Sequence, residues 1–280
     1  MITTNDIKAR QAGPFSVGPD NSQKKILILA SCRGVPYLNY LNRYNEGAGR
    51  PFKITFINPS DYNWNANEVQ QNLEAKLASL ETDERVLKAL RECDIFIHEH
   101  HENFGMFNTS MKTEKHIWAF GMRRDITEIR LPNFHNHFIL ANDLLVYEKP
   151  ICISGPEELR DTGKISPDTE WAIKLASEFH IRRFTKHCDL SSFPSFGCWF
   201  RENWKTTRLF WTFNHIAAPF SLELFRMINC QFLHLPLDAH FWAAAAQEDL
   251  YAYPRTPYTE LDQHLLGVRW NMPVEPLKLT

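Results

Sequence analysis

The first group of residues whose types could do chemistry follows a short apolar segment near the start of the chain. Residues 25–30 are mostly aliphatic, which predicts a buried strand, and Ser31, Cys32, Arg33 and Gly34 come directly after it. A helix that begins at such a turn presents backbone N–H groups that favour an anion or a developing oxyanion. Cys32 would be favoured as a thiolate by the helix start and by Arg33, while the Ser31 hydroxyl could attack or donate to an oxyanion. The alternative is structural, with Ser31 as an N-cap and Cys32 as a small core residue.

A second polar cluster ends another apolar segment, residues 94–98, and continues from His98 to Asn103. Alternation along a strand puts His98 and His100 on one face and Glu99 on the other. Two histidines on one face supply half of a metal site, but no third ligand has matching spacing, so we expect no metal. We interpret the cluster as the lining of a pocket, with an imidazole or a carboxylate available for acid–base chemistry.

A third candidate is the pair Asn214-His215, which follows the mostly apolar residues 209–213 and precedes a predicted helix. A histidine at such a point can act as the general base for a nucleophile that the fold brings close. The alternative is a surface or helix-capping pair, since the chain has 12 histidines.

Composition limits the classes of protein to which the chain can belong. Its 280 residues, 44% hydrophobic and 23% charged, are typical of a globular protein with one large or two small domains. A net charge of −2 gives no basic field, so we expect no nucleic acid partner. The six cysteines form no CxxC pair, and the sequence shows neither a leader nor an apolar run of membrane-spanning length. We therefore expect reduced thiols, no membrane span and a cytoplasmic location.

The order of predicted elements favours an α/β fold. Strands at 25–30, 53–57 and 94–98 alternate with helical patterns after residue 35 and within 66–92. This predicts a short parallel doubly wound sheet of the flavodoxin or SGNH type. Ligands bind such sheets beyond the carboxyl ends of the strands, where the first two polar clusters lie.

The rest of the chain is predicted to add a helical layer or subdomain. Residues 1–23 are expected to form a flexible lead-in, 24–165 the α/β core with further strands at 126–131 and 138–140, and 166–280 a helical part packed on that core. Trp171, Leu175 and Phe179 recur every four residues, which indicates a helix after Ser166, and a further helix is predicted for 219–233. The proline-rich segment after residue 253 is expected to be extended.

Taken together, these stretches resemble the WcbI-like family of capsular polysaccharide biosynthesis proteins, which are coenzyme A-binding acetyltransferases. The family's first strand is followed by a Gly-Asn-Cys-Gln type turn, which corresponds here to residues 30–33. Its third strand ends in a polar segment, here His98 to Asn103. A later Arg-Leu-Phe stretch leads to Asn-His-Pro, here residues 208–215 followed by Ile216 in place of proline. The resemblance covers roughly residues 24–235.

The resemblance implies an acyltransferase that moves an acetyl or similar group from a coenzyme A thioester to a hydroxyl of a sugar-like acceptor. Cys32 or Ser31 would be at the reacting centre, with the N–H groups of the turn stabilising the oxyanion. His215, positioned by Asn214, would be the general base. The expected substrate- and cofactor-binding residues are Arg33, Gly34, His98, Glu99, His100, Asn103, Lys115, Arg123 and Arg124.

Several of these assignments have alternatives. Arg33 could contact a phosphate of the cofactor, or it could equally pair with a carboxylate. Lys112, Lys115, Arg123 and Arg124 could form a phosphate-binding patch or a solvated basic face. The whole constellation could also serve a hydrolase, since the first loop is similar to the nucleophile turn of SGNH-type esterases. That turn carries no Gly-Asp-Ser here, and no clear Asp-x-x-His follows near the C-terminus. A third possibility is a non-catalytic binding protein on the same fold.

Overall fold

The computed structural model describes residues 1–2, 14–58, 83–99, 123–134, 137–147, 164–247 and 255–277. The chain forms two compact units, Met1–Asn133 with Leu224–Glu248, and Phe134–Glu223 with Asp249–Thr280. The first of these units ends after residue 133, and a later segment, Leu224–Glu248, belongs to the same unit.

The first unit contains a five-stranded sheet in which the strand order is β1-β3-β2-β4-β5. Its strands are β1 (Phe15–Val17), β2 (Lys24–Leu29), β3 (Phe52–Ile57), β4 (Ile95–Glu99) and β5 (Thr127–Leu131). All neighbours are parallel except β1, which is antiparallel to β3. The mostly parallel sheet and the helical C-terminal half confirm the expected α/β class. Residues 15–17 correct one detail, because they form an edge strand within the expected flexible lead-in.

The helices of the first unit pack against this sheet and against each other. They are α1 (Val35–Gly47), α2 (Glu84–Glu92), the C-terminal end of α6 (Ala218–Ile228) and α7 (Ala239–Ala246). Asp83 caps α2 by accepting the Arg85 N–H, which fixes where that helix begins. Tyr40 of α1 contacts Phe225 of α6, with ring centroids 5.1 Å apart. A π-helical turn, Asn229–Leu233, follows α6, so the helix predicted for 219–233 is confirmed with an irregular end.

The second unit is mainly helical and surrounds an aromatic core. Its other elements are α3 (Ala141–Tyr147), α4 (Pro167–Asp189), α5 (Pro194–Asn203), β6 (Phe210–Thr212), β7 (His215–Ile216) and α8 (Glu260–Leu266). Helix α4 begins where Ser166 accepts the Thr169 N–H and Pro167 occupies the first turn, as the sequence predicts. Phe134, Phe184 and Phe220 are fully buried with their rings in contact.

One local prediction for the second unit is wrong, and another is only partly confirmed. Residues 138–140 form no strand; they lead directly into α3, whose first N–H, from Ala141, is accepted by the buried Asp262 carboxylate. The C-terminal segment is only partly extended, because α8 forms behind a capping box of Thr259 and Asp262. Predictions for residues 66–82 lie outside the described residues. Among the described helices, none is long and apolar enough to cross a membrane.

Candidate functional site

The first candidate locus is the turn after β2, in the first unit. Leu29 pairs with His98 across the parallel strands, which brings Glu99 next to the turn. The Glu99 carboxylate accepts hydrogen bonds from the Ser31 backbone N–H (3.0 Å) and the Ser31 hydroxyl (3.1 Å). The Arg33 guanidinium donates two more, from Nε (2.7 Å) and Nη2 (3.1 Å). Arg33 and Glu99 are only 5% and 2% exposed, so this is a buried, fully paired carboxylate.

This geometry decides between the two partners expected for Arg33. Its guanidinium pairs with a carboxylate, and the pair is buried, so it does not face a phosphate site. Glu99, expected to bind the acceptor, is occupied by the same pair and by Ser31. His98 is also buried, stacked on Phe96 and hydrogen-bonded through Nε2 to Glu128 (2.9 Å). These side chains hold the ends of the strands to the turn.

The backbone N–H groups of the turn are largely used by the turn itself. The Ser31 hydroxyl accepts the Arg33 N–H (3.4 Å), and the Ser31 carbonyl accepts the Gly34 N–H (2.9 Å). The Val35 N–H donates to the Cys32 carbonyl, and Pro36 has no N–H to offer. These groups are therefore engaged in a short 3₁₀ turn, Cys32–Gly34, and they do not form the open anion cradle that we expected.

Gly34 has a packing role that the sequence does not reveal. A Cβ atom built at Gly34 would lie 2.5 Å from the Ala30 Cβ and 2.9 Å from a ring carbon of Phe56. The glycine thus lets the turn lie directly on β2 and β3. Its expected contribution to ligand binding gains no support, because the close neighbours are core side chains. Cys32, at the start of the turn, is half-buried.

The remaining expected residues of this unit are either surface cations or undescribed. Arg123 is half-exposed and is paired with Asp94 and Asp125, each at 2.7 Å. Arg124 is exposed. His100, Asn103, Lys112 and Lys115 lie outside the described residues.

The second candidate locus is a cavity of about 380 Å³ in the second unit, which contains the predicted Asn214 and His215. Its wall is formed by α3, the β6–β7 hairpin and the segment before α8. The lining residues are Asn142, Asp143, Val146, Tyr147, Thr212, Phe213, Asn214, His215, Arg255, Thr256 and Pro257.

The orientation of His215 is set by the β6–β7 hairpin, in which Thr212 pairs with His215. The Thr212 hydroxyl donates to the Asn214 side-chain oxygen (2.8 Å) and lies 2.9 Å from Nδ1 of His215. With the side-chain amide of Asn214 assigned so that its oxygen accepts the single hydroxyl proton, Thr212 accepts the Nδ1 proton of a neutral imidazole. Nε2 is then the basic nitrogen, as a general base requires. Asn214 therefore positions His215 through Thr212, a residue that the sequence reasoning missed.

Asp143 brings a second titratable group to the same cavity. Its side chain is almost completely buried, and Oδ1 accepts a hydrogen bond from the Thr256 hydroxyl (2.8 Å), while Oδ2 has no hydrogen-bond partner among the described residues. Burial raises the pKa of this carboxyl to about 7. The sequence around Asp143 does not indicate a buried carboxyl with a raised pKa, because acidic residues are common in the first turn of a helix.

The structure thus groups the predicted residues into two sets, each in its own unit. Ser31, Arg33, His98 and Glu99 are together in the first unit, and Asn214 and His215 are together in the second. Among the described residues, no three His, Cys, Asp or Glu side chains are placed to hold a metal ion.

Comparison with models of protein families, with curated proteins and with solved structures found no match. The cavity around His215 is therefore interpreted from its own geometry.

Proposed function

We propose that the protein is an acyltransferase that uses His215 as the general base. The observation that carries this proposal is the hydrogen-bond chain Asn214–Thr212–His215, which orients the His215 ring through Nδ1 at the wall of a cavity. A buried second group that titrates near neutrality, Asp143, supports acid–base chemistry in the same cavity.

The lining of the cavity favours a sugar-like acceptor. Tyr147 and Phe213 contact each other with ring centroids 5.0 Å apart, and Tyr147 is 53% exposed. Asn142 and Asn214 place side-chain amides in the lining of the same cavity. An aromatic face next to such groups suits a carbohydrate, whose C–H face is apolar and whose edge carries hydroxyls.

In the proposed reaction, Nε2 of His215 takes the proton of an acceptor hydroxyl. The oxygen then attacks the carbonyl carbon of an acyl thioester, and the tetrahedral intermediate expels the thiolate of coenzyme A. The proton held by His215 returns to that thiolate, so the products are an ester and a free thiol. The coenzyme A thioester as donor rests on the family resemblance, as does a covalent role of Cys32 or Ser31 in place of direct transfer.

Calorimetric titration of the protein with coenzyme A and acetyl-coenzyme A tests the donor. We expect micromolar binding of both, and no binding of either would exclude the coenzyme A donor. Hydrolysis of simple aryl esters that is lost on His215→Ala and unaffected by coenzyme A would assign the same base to a hydrolase instead.

A further inference from the structure

Helix α4 of the second unit exposes three large apolar side chains. Trp171, Leu175 and Phe179 are 65%, 52% and 57% exposed, respectively. They are four residues apart, so they lie on one ridge of the helix and form a continuous surface, which we name the Trp171 stripe. Single exposed apolar residues are common, but contiguous apolar patches mark interaction surfaces.

The core of the second unit does not need this stripe. Another face of α4 supplies the buried side chains Ile173, Ala176, Ile181 and Phe184. An amphipathic helix with one buried face normally carries polar residues on the remaining surface. The stripe therefore adds a second apolar surface to a helix whose packing face is already formed.

A ridge of alternating charge runs beside the stripe. Glu170, Lys174, Glu178 and Arg182 are also four residues apart, and each of the last three is three residues from a member of the stripe. From residue 170 to residue 182 the charges are negative, positive, negative and positive, and in the opposite chain direction each position has the opposite charge. A second copy of the helix in antiparallel orientation thus places Glu170 opposite Arg182 and Lys174 opposite Glu178. The ridge is complementary to itself.

We propose that the Trp171 stripe is an interface between two copies of this chain, with their α4 helices antiparallel about a two-fold axis near Leu175. Such an axis sets Leu175 against Leu175 of the partner subunit, and Trp171 beside Phe179 of the partner subunit. The contact is isologous and closes at a dimer. Interlocking of the i, i+4 ridges of both helices matches the commonest class of helix packing.

The size of the stripe indicates a weak dimer. Fully covered aromatic side chains bury roughly 150–250 Å² each, so the exposed halves of three large residues offer on the order of 300 Å² per copy. Stable interfaces bury about 800 Å² per partner. We therefore expect dissociation in the upper micromolar range, a state that forms at high concentration.

Sedimentation velocity of the full chain between about 5 and 500 µM tests the proposal by mass action. We expect the sedimentation coefficient to rise with concentration towards that of a dimer. Leu175→Glu should abolish the rise. Lys174→Glu/Arg182→Glu and Glu170→Lys/Glu178→Lys should each abolish it as well, because every facing pair then has like charges. An equimolar mixture of the two charge-reversed variants should restore it.

The matched control is Lys88→Glu/Arg91→Glu, which makes the same charge change on the exposed side of α2, and it should sediment as the unsubstituted protein does. Circular dichroism identifies any variant that fails to fold. A monomer at all concentrations, or a dimer that persists in both charge-reversed variants alone, would overturn the proposal.

Discussion

The Arg33 guanidinium and the Glu99 carboxylate are joined by two hydrogen bonds, of 2.7 and 3.1 Å, at a buried position between the turn after β2 and the end of β4. This pair fixes the geometry around Ser31 and Cys32. It also means that neither charge can be removed alone without leaving the other buried and uncompensated.

Substitution of Arg33→Met should therefore lower the free energy of unfolding by roughly 3–5 kcal/mol, measured by urea denaturation. The control is Arg123→Met, which removes a guanidinium that pairs with two carboxylates at the surface and should have little effect. If both variants lost the same free energy of unfolding, the buried Arg33–Glu99 pair would matter no more for stability than the surface pairs of Arg123.

Gly34→Ala should destabilise the first unit by about 1–3 kcal/mol or more, because the new methyl group would clash with Ala30 and Phe56. Gly47→Ala is the matched control, since no atom of the described part of the chain lies within 4 Å of a Cβ built there, and it should be neutral or slightly stabilising. Thermal unfolding of the two variants separates these outcomes. An unaffected Gly34→Ala variant would show that the turn does not lie as close to the strands as described.

The buried carboxyl of Asp143 predicts a pH dependence of stability. Its pKa rises on folding from the usual 3.8 to about 7, so the folded protein binds the proton more tightly than the unfolded chain. The contribution of Asp143 to the free energy of unfolding is complete below pH 4. It decreases by about 1.4 kcal/mol for each pH unit as the pH rises towards 7.

Urea denaturation at pH 5 and pH 7 measures this slope, and Asp143→Asn should reduce it. Part of the pH dependence should remain in Asp143→Asn, because burial also raises the pKa of Asp262. Asp20→Asn, at an exposed carboxyl whose ion pair with Lys53 lowers its pKa, should leave the slope between pH 5 and 7 unchanged. A slope in Asp143→Asn as large as in the unsubstituted protein would show that Asp143 does not titrate in this range.

For the proposed transfer, His215→Ala should lower kcat by at least about two orders of magnitude, as expected for loss of a general base. Thr212→Val should lower kcat less and change the pH profile, because it removes the acceptor of the Nδ1 proton. His264→Ala, at an exposed histidine of α8 in the same unit, should retain full activity. A folded His215→Ala variant with normal kcat would refute the assignment of the base.

Cys32→Ala tests whether the turn of the first unit takes part in chemistry. If Cys32 carries the acyl group, transfer should fall by about two orders of magnitude, and the mass increase of one acetyl group after exposure to acetyl-coenzyme A should disappear. Cys198→Ala, at an exposed free thiol, should change neither result. Full activity of a folded Cys32→Ala variant would remove Cys32 from the proposed site.

The fold class could be predicted from the sequence because its signals are local. The aliphatic runs that become β2, β3 and β4 begin and end within one residue of their predicted limits, and the apolar spacing after residue 35 becomes α1. The short edge strand β1 was missed because residues 15–17 pair with β3, about 40 positions later, and such pairing leaves no pattern in a three-residue segment.

The site was only partly predictable, for a related reason. His215 and Asn214 were found because they follow an apolar run, but their orientation depends on the hydroxyl of Thr212 within a tight hairpin. Asp143 becomes a candidate only through burial and through Thr256, 113 positions away. For Glu99, the polar residue type predicted a ligand contact, whereas the structure shows its carboxylate accepting hydrogen bonds from Arg33 and Ser31, which lie in a different segment.

The hydrogen bonds that close the second unit have a consequence for how the chain acquires its structure during synthesis. The first N–H of α3, at Ala141, is accepted by Asp262, and the Asp143 carboxylate is held by Thr256. On the ribosome, α3 must therefore wait for more than a hundred further residues before its polar groups are satisfied. The sheet strands of the first unit, all complete by Leu131, can pair long before that. We therefore expect α3 to acquire its final hydrogen bonds only after the segment that contains Thr256 and Asp262 has been synthesised.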